Sequence, residues 1–181
     1  MLQTADACTD DICHAADLVA DSFKAGGKLL LCGNGGSAAD CQHMAAELVN
    51  RLTRDFDRPG LPAIALTTDS SLITAYANDV AFDGVFARQV QALGRAGDVL
   101  LGISTSGASR NVVDAVAQAR TSGMKVVTLT ACAGRLSGMA DVAIRVPGRS
   151  TRHVQETHLA IEHVICHLVE RTLHGPLTHD E

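Results

Sequence analysis

Short apolar runs alternate along the chain with longer stretches in which apolar residues recur at helical spacing. The runs have the length and flanking glycines of buried β-strands, and we predict strands at residues 28–32, 61–67, 98–103, 124–130 and 141–146. The helical spacing predicts helices at residues 6–25, 37–52, 69–93, 111–120 and 151–173. The third helix is expected to break near Asn78 and Asp79, because Asn and Asp favour turns and caps.

This alternation predicts the fold class. Right-handed crossovers between successive strands place helices on both faces of a parallel sheet. We therefore expect an α/β fold, a three-layer αβα sandwich around a five-stranded parallel sheet of the doubly wound, flavodoxin-like kind. The 181 residues suit a single domain, with an N-terminal helix within residues 1–26 and a tail at residues 175–181.

Two predicted strands end in loops that suit an anionic ligand. Loop 1, residues 33–37, reads Gly-Asn-Gly-Gly-Ser, and loop 2, residues 104–109, reads Ser-Thr-Ser-Gly-Ala-Ser. Glycines let the backbone approach a ligand, Ser37 is expected to cap the next helix, and hydroxyls with free helix amides bind phosphate. Each loop alone is also consistent with an ordinary strand–helix turn, but both fall at the same end of the sheet. Neither contains the Lys of a P-loop, which argues against a triphosphate ligand.

The composition indicates which kinds of partner the protein binds and which compartment of the cell it occupies. The 15 Lys and Arg against 20 Asp and Glu give a net charge of −5, which argues against nucleic-acid binding. No stretch is long and uncharged enough to span a bilayer, so we expect no membrane association. The six cysteines are scattered without a Cys-x-x-Cys pair, and the N-terminus lacks the pattern of an export signal. We therefore expect reduced thiols and a cytoplasmic protein.

The helix predicted after loop 1 contains a pair of residues that commonly bind metals. His43 and Glu47 are four residues apart, so both side chains lie on one face and can supply two ligands to one divalent ion. Asp40, one turn earlier, could orient the His43 ring. Surface His–Glu pairs without a metal have the same spacing, so the pair alone does not establish a site.

The last predicted helix offers more candidates than spacing can separate. His158 and Glu162 form an i, i+4 pair as good as the first. Gln155 and His163 are eight residues apart, roughly 12 Å along a helix axis. They share an ion only if they lean together, if the helix begins late, or if a neighbouring subunit supplies one of them. Most histidines on such a helix are exposed or hydrogen-bonded without a metal, and the choice stays open.

Loop 1 also fits the beginning of a dinucleotide-binding fingerprint. Gly33, Gly35 and Ala38 have the G-x-G-x-x-A spacing, which requires an acidic residue about twenty residues further on. The second predicted strand ends at Thr67 instead, and Asp69 follows the loop by roughly thirty residues. The sequence therefore disfavours NAD as a ligand.

Several motifs taken together resemble one protein family. They are loop 1, His43…Glu47…Arg51, Arg58-Pro59-Gly60, Asn78-Asp79, residues 97–109, Gly123-Met124 and Gln155-Glu156…His163. In this combination, from about residue 21 to about residue 173, the chain resembles the phosphoheptose isomerase branch of the sugar isomerase (SIS) domain proteins. A Ser-Thr-Ser-Gly loop alone would mark only the wider superfamily.

The resemblance implies a set of site residues. Loop 2 would hold the phosphate of the substrate, while loop 1 and Asn78-Asp79 would contact the sugar. The implied substrate-binding residues are Asn34, Gly35, Gly36, Ser37, Glu47, Arg51, Asn78, Asp79, Ser104, Thr105, Ser106, Ser109 and Gln155. The implied ligands of one zinc ion per subunit are His43, Glu47, Gln155 and His163. His158 and Glu162 would then be bystanders, and the protein a homotetramer with active sites at subunit interfaces.

The resemblance also implies a reaction. Sedoheptulose 7-phosphate would become D-glycero-D-manno-heptose 7-phosphate through an enediol(ate), within nucleotide-activated heptose biosynthesis. Such a shift needs a base, an acid and an electrophile, and we predict Glu47 as base, His163 as acid/base partner and zinc as electrophile. The alternative is a non-catalytic SIS module that binds a sugar phosphate or a protein partner. A replication-initiation regulator that binds DnaA is similar to the family and lacks the equivalents of Glu47 and His163.

Overall fold

The computed structural model describes residues 2–54, 57–131, 134–148 and 150–175. The helices are α1 (Leu2–Lys24), α2 (Gly36–Val49), α3 (Ser70–Asp79), α4 (Val85–Leu93), α5 (Arg110–Thr121) and α6 (Thr151–His174). The strands are β1 (Leu29–Cys32), β2 (Ala63–Ala65), β3 (Val99–Ser104), β4 (Lys125–Thr130) and β5 (Val142–Arg145). Short 3-10 turns lie at Phe82–Gly84 and Leu136–Gly138.

The strands form one parallel sheet in the order β2-β1-β3-β4-β5, which confirms the predicted fold class. The chain first moves outward from β1 to β2 and then returns past β1 to β3. The strand order therefore reverses between β1 and β3, and doubly wound sheets bind ligands in the crevice at such a switch point. Loops 1 and 2 follow β1 and β3, so both open into this crevice.

The three central strands, β1, β3 and β4, bury side chains on both faces of the sheet, whereas Ile64 of β2 and Arg145 of β5 are exposed at its edges. Leu29 and Leu31 belong to the core shared with α1, α2 and α6, whereas Leu30 and Cys32 belong to the core shared with α4 and α5. Successive side chains of a strand point to opposite faces, so an all-apolar strand such as β1 requires helices on both sides. The predicted three-layer sandwich follows from this pattern.

Several element boundaries differ from the predictions, among them those of β2 and the end of α2. β2 has three residues where seven were predicted, and it is preceded by Pro62, which has no amide hydrogen to give to a neighbouring strand. α2 ends at Val49 rather than at residue 52, because the following loop turns back and Leu61 N–H donates to Leu48 O. The predicted break near Asn78 and Asp79 is confirmed, since α3 ends there.

The remaining predictions on composition concern thiols, membranes and the tail. Five cysteines lie within the described residues, and all five are free thiols; Cys132 lies outside them. No helix in the described ranges is both long and apolar enough to cross a membrane. The predicted tail lies outside the described residues beyond Gly175.

Candidate active site

A reciprocal pair of amide hydrogen bonds joins loop 1 to the helix that follows loop 2. Asn34 Nδ2 donates to Asn111 Oδ1 and Asn111 Nδ2 donates to Asn34 Oδ1, each at 2.8 Å. Asn111 lies in the first turn of α5 and is only 3% exposed. The two bonds fix the spacing of the loops across the crevice. Sequence reasoning missed Asn111, because it lies inside an ordinary helical pattern.

Replacing Asn111 by Asp is expected to weaken phosphate binding. The carboxylate cannot donate to Asn34, so one of the two loop-joining hydrogen bonds is lost, and a negative charge is placed beside loop 2. We expect the affinity for inorganic phosphate to fall by about tenfold or more, as measured by calorimetry. Gln118→Glu, on the same helix, is the control and should bind phosphate as the wild type does. Equal affinities in the two variants would contradict the role of the amide pair.

Loop 1 turns into α2 at Gly35. This residue has a φ of 57° and is the N-cap of the helix, a conformation that suits glycine. The helix therefore begins at Gly36, and the predicted cap at Ser37 is wrong, because the left-handed glycine starts the helix before the serine. Ser37 is buried in the first turn instead. Gly35 and Gly36 are exposed at a helix N-terminus, where unpaired amides favour an anion.

Loop 2 gathers serine hydroxyls around Ser104. The Ser104 Oγ lies 2.9 Å from Ser109 Oγ and 3.3 Å from Ser106 Oγ. Ser109 is the N-cap residue of α5, yet its side chain makes no hydrogen bond to the helix amides. Thr105 lies partly exposed between the serines. Hydroxyls and helix amides are thus presented together, which is an arrangement that suits a phosphate.

Three metal-ligand side chains meet between α2 and α6. His43 Nε2 lies 2.8 Å from His163 Nε2 and 3.6 Å from Glu47 Oε1. One potential ligand atom from each of the three side chains lies within 4.8 Å of the others. The structure therefore brings together three of the four predicted metal ligands, which include the predicted base, Glu47, and its predicted acid/base partner, His163. We call His43, Glu47 and His163 the trio.

The chemistry of the trio fits a zinc ion. Two imidazole nitrogens and one carboxylate oxygen form the ligand set of catalytic zinc sites, which leave a further position for water or substrate. Glu47 Oε2 is buried and accepts no hydrogen bond from the described residues, so it is an acceptor that a cation or substrate proton would satisfy. The His43 side chain is 42% exposed, so a ligand can reach the trio from solvent.

Gln155, the fourth predicted ligand, lies at the other end of the contact between α2 and α6. Its side-chain amide lies against Gly36, whereas His163 meets His43, so the two helices run side by side in the same direction. Gln155 is eight residues from His163 on a continuous helix, roughly 12 Å along the axis. The sequence also allowed the last helix to begin late, beyond Gln155. This alternative is ruled out, because α6 begins at Thr151.

The other candidate pair of metal ligands, His158 and Glu162, lies in a different environment from the trio. His158 and Glu162 are fully buried, unlike the accessible His43. Burial lowers the pKa of His158 to about 4, with a smaller opposing effect from the Thr130 backbone. Burial, and secondarily the charge of Asp40, raises the pKa of Glu162 to about 8. Both groups are therefore uncharged at neutral pH and away from solvent.

The burial of His158 predicts a pH dependence of stability. Its pKa of about 4 in the folded chain lies below the ordinary value of 6.5, so between these values the unfolded chain binds a proton that the folded chain does not. This stability is therefore present above about pH 6.5 and lost as the pH falls towards 4. From pH 7 to 4.5, urea unfolding should show the wild type losing about 2 kcal/mol more than His158→Gln. His153→Gln, an exposed change on the same helix, should lose as much as the wild type.

Three predicted substrate residues make no described hydrogen bond to the rest of the candidate site. Arg51 follows the end of α2 and is exposed. Asn78 and Asp79 lie at the C-terminal end of α3, where Asn78 Nδ2 donates to Asp79 Oδ1 at 2.8 Å. No hydrogen bond found in the described parts of the chain joins these residues to loop 1, loop 2 or the trio.

Comparison with known proteins finds close relatives of the whole chain. A family model described as "SIS domain" matches residues 1–131. The phosphoheptose isomerase of Roseiflexus sp. (strain RS-1) is 55% identical over 159 residues, which cover 87% of this chain and 80% of that relative. The phosphoheptose isomerase of Thiobacillus denitrificans is 52% identical over 180 residues, 96% of this chain and 89% of that relative.

A solved structure shows the same likeness in three dimensions. Phosphoheptose isomerase GmhA from Neisseria gonorrhoeae superposes with a TM-score of 0.87 at 43% identity, covering 93% of this chain and 90% of that chain. Identity at this level over nearly the whole length extends the likeness beyond the fold to the family. The chain belongs to the SIS domain family and, within it, to the phosphoheptose isomerases.

Proposed function

We propose that this enzyme converts sedoheptulose 7-phosphate to D-glycero-D-manno-heptose 7-phosphate, with zinc at the trio, in the biosynthesis of nucleotide-activated heptose. Its relatives support a sugar-phosphate isomerase. The observation that carries the proposal is the meeting of the Glu47 carboxylate and the His163 imidazole from two separate helices. A carbonyl shift needs these two groups on one substrate, and a module that only binds sugar phosphate does not.

The reaction moves protons without net oxidation. Glu47 takes a proton from C1 of the ketose and returns it to C2, while His163 gives a proton to the oxygen on C2 and receives the one on the C1 hydroxyl. When bound, zinc would supply positive charge that stabilises the negative charge developing on the sugar oxygens. Loop 2 binds the remote phosphate, and this binding energy positions C1 and C2 between the two groups.

Glu47 has two tasks in this proposal, as metal ligand and as base. A carboxylate held tightly by a cation is a weak base. Oε1 faces His43, whereas the buried Oε2 accepts no hydrogen bond from the described residues. We propose that the carboxylate is bound loosely by the metal and exchanges with substrate oxygens, which leaves it able to act as the base.

The proposal includes a homotetramer with interfacial active sites and a cytoplasmic location. His43 and His163 are exposed on α2 and α6, and each helix also carries an exposed valine, Val49 on α2 and Val164 on α6. A neighbouring subunit that covers this surface would bury the valines, exclude water from the reaction and present the Gln155 of a second copy. Five free thiols suit a reducing compartment.

The test is turnover of the heptulose phosphate in D2O, followed by NMR. The purified chain should convert sedoheptulose 7-phosphate to an aldoheptose phosphate that carries deuterium at C2, because the carboxylate exchanges its proton with solvent. Fructose 6-phosphate, which is one carbon shorter, serves as the comparison substrate and should react poorly. An absence of turnover, with inorganic phosphate still bound, would favour the non-catalytic SIS module.

A further inference from the structure

A buried ion pair connects the segment after α2 with α6. Arg58 Nε donates to Glu170 Oε1 at 2.6 Å, and each side chain is only 1% exposed. Glu170 Oε2 is buried and has no hydrogen-bond partner in the described part of the chain. Removing two charges from water costs several kcal/mol for each ion, and apolar residues of similar volume often stabilise a fold equally well. A contribution to the stability of the fold is therefore not enough to explain why this ion pair is present.

The same guanidinium binds the backbone at the end of α2. Arg58 Nη1 donates to Leu48 O at 2.7 Å, and Nη2 donates to Glu47 O at 2.9 Å. These carbonyls belong to the last turn of the helix, where unpaired acceptors and the helix dipole favour a cation. Arg58 therefore holds the main chain of the residue that carries the proposed base.

Glu170 provides the link to the other half of the trio. It lies seven residues after His163 on α6, so the two residues are two turns apart on one face of the helix. α2 and α6 pack against each other and run in the same direction. One side chain, Arg58, thus binds both helices close to the point where Glu47 and His163 approach each other.

We propose that Arg58 and Glu170 are positioning residues that fix α2 against α6 along their axes and thereby set the separation of the Glu47 carboxylate from the His163 imidazole. This inference rests on the proposed function of the trio. Neither residue touches the trio side chains through a described hydrogen bond, so both act through the helix backbones. Misplacement of a reacting group by about 1 Å costs on the order of 10²-fold in rate.

Arg58→Lys tests the proposal, because an ammonium on a flexible stem cannot bridge two carbonyls and a carboxylate as a planar guanidinium does. We expect kcat to fall by about 10- to 100-fold with KM changed less than about threefold. The affinity of the metal-free protein for Zn²⁺ should fall by about tenfold, because the trio spans the two helices. Asp98→Asn is the matched control: Asp98 is buried at the opposite end of the sheet, where it binds Lys28 and the Arg95 amide. It should lower Tm and leave kcat and Zn²⁺ affinity unchanged.

A double variant separates positioning from stability. Arg58→Met with Glu170→Leu replaces the pair by apolar residues of similar volume, so Tm should stay near the wild-type value. Its kcat and Zn²⁺ affinity should nevertheless remain as low as in Arg58→Lys. If both variants match Asp98→Asn in kcat and Zn²⁺ affinity, the pair is only structural and the inference is overturned.

The Zn²⁺ measurement separates this inference from the proposed function. A wild type that binds Zn²⁺ but does not isomerise the heptulose phosphate would refute the proposed reaction. The Zn²⁺ affinities of the variants would still decide whether the pair sets the geometry of the trio. If Arg58→Lys fails to fold, the double variant and Asp98→Asn provide the same comparison.

Discussion

Glu47→Gln is expected to lower kcat by about 10³-fold while leaving the affinity for inorganic phosphate unchanged within about twofold. A glutamine amide cannot take a proton from carbon, and positioned general bases contribute factors of about 10² to 10⁴. Phosphate affinity should persist, because Glu47 lies in the last turn of α2, at the far end of that helix from loop 1, and loop 2 leads into a different helix, α5. The measurements are steady-state turnover of sedoheptulose 7-phosphate and calorimetric titration with phosphate.

Asp114→Asn is the control for this substitution. Asp114 is a surface carboxylate on α5 that binds Arg110, and its loss removes the same charge without touching the trio. We expect wild-type kcat in this variant. A Glu47→Gln variant with kcat within about tenfold of the wild type would show that another group is the base.

Much of this site could be predicted, because its features follow from patterns among residues that are close together in the sequence. Loops 1 and 2 follow strands that had to be parallel, so both had to open at the same edge of the sheet. The i, i+4 spacing of His43 and Glu47 puts both side chains on one face of any α-helix, whatever the helix packs against. Both features are present in the structure.

The rest depends on how helices distant in sequence rotate and slide against one another. The choice between His158 and His163 is set by which face of α6 meets the sheet, and the sequence alone left both pairs equivalent. The structure buries His158 and Glu162 and turns His163 towards His43. In the sequence, Arg58 stands out only as part of the Arg58-Pro59-Gly60 motif of the family resemblance, and nothing there indicates that its side chain is buried. Its role depends on an acceptor more than one hundred residues away, Glu170, which no local pattern indicates.

Substitution of either histidine of the trio by Ala is expected to weaken Zn²⁺ binding by at least about 10²-fold. Loss of an outer partner of a metal ligand already costs 10- to 100-fold in affinity, and loss of a ligand should cost more. His43→Ala and His163→Ala should therefore contain little zinc after dialysis against a weak chelator, as measured by mass spectrometry. The wild type should retain about one ion per chain under the same conditions.

The same dialysis links the metal to turnover. Stronger chelation of the wild type should abolish isomerisation, and added Zn²⁺ should restore it, whereas neither histidine variant should recover. His153→Ala removes an exposed imidazole from the same helix as His163 and is expected to keep its zinc and its kcat. If the trio variants hold as much zinc as His153→Ala, the metal lies elsewhere, and the 2.8 Å approach of the two imidazoles is then a hydrogen bond rather than half of a metal centre.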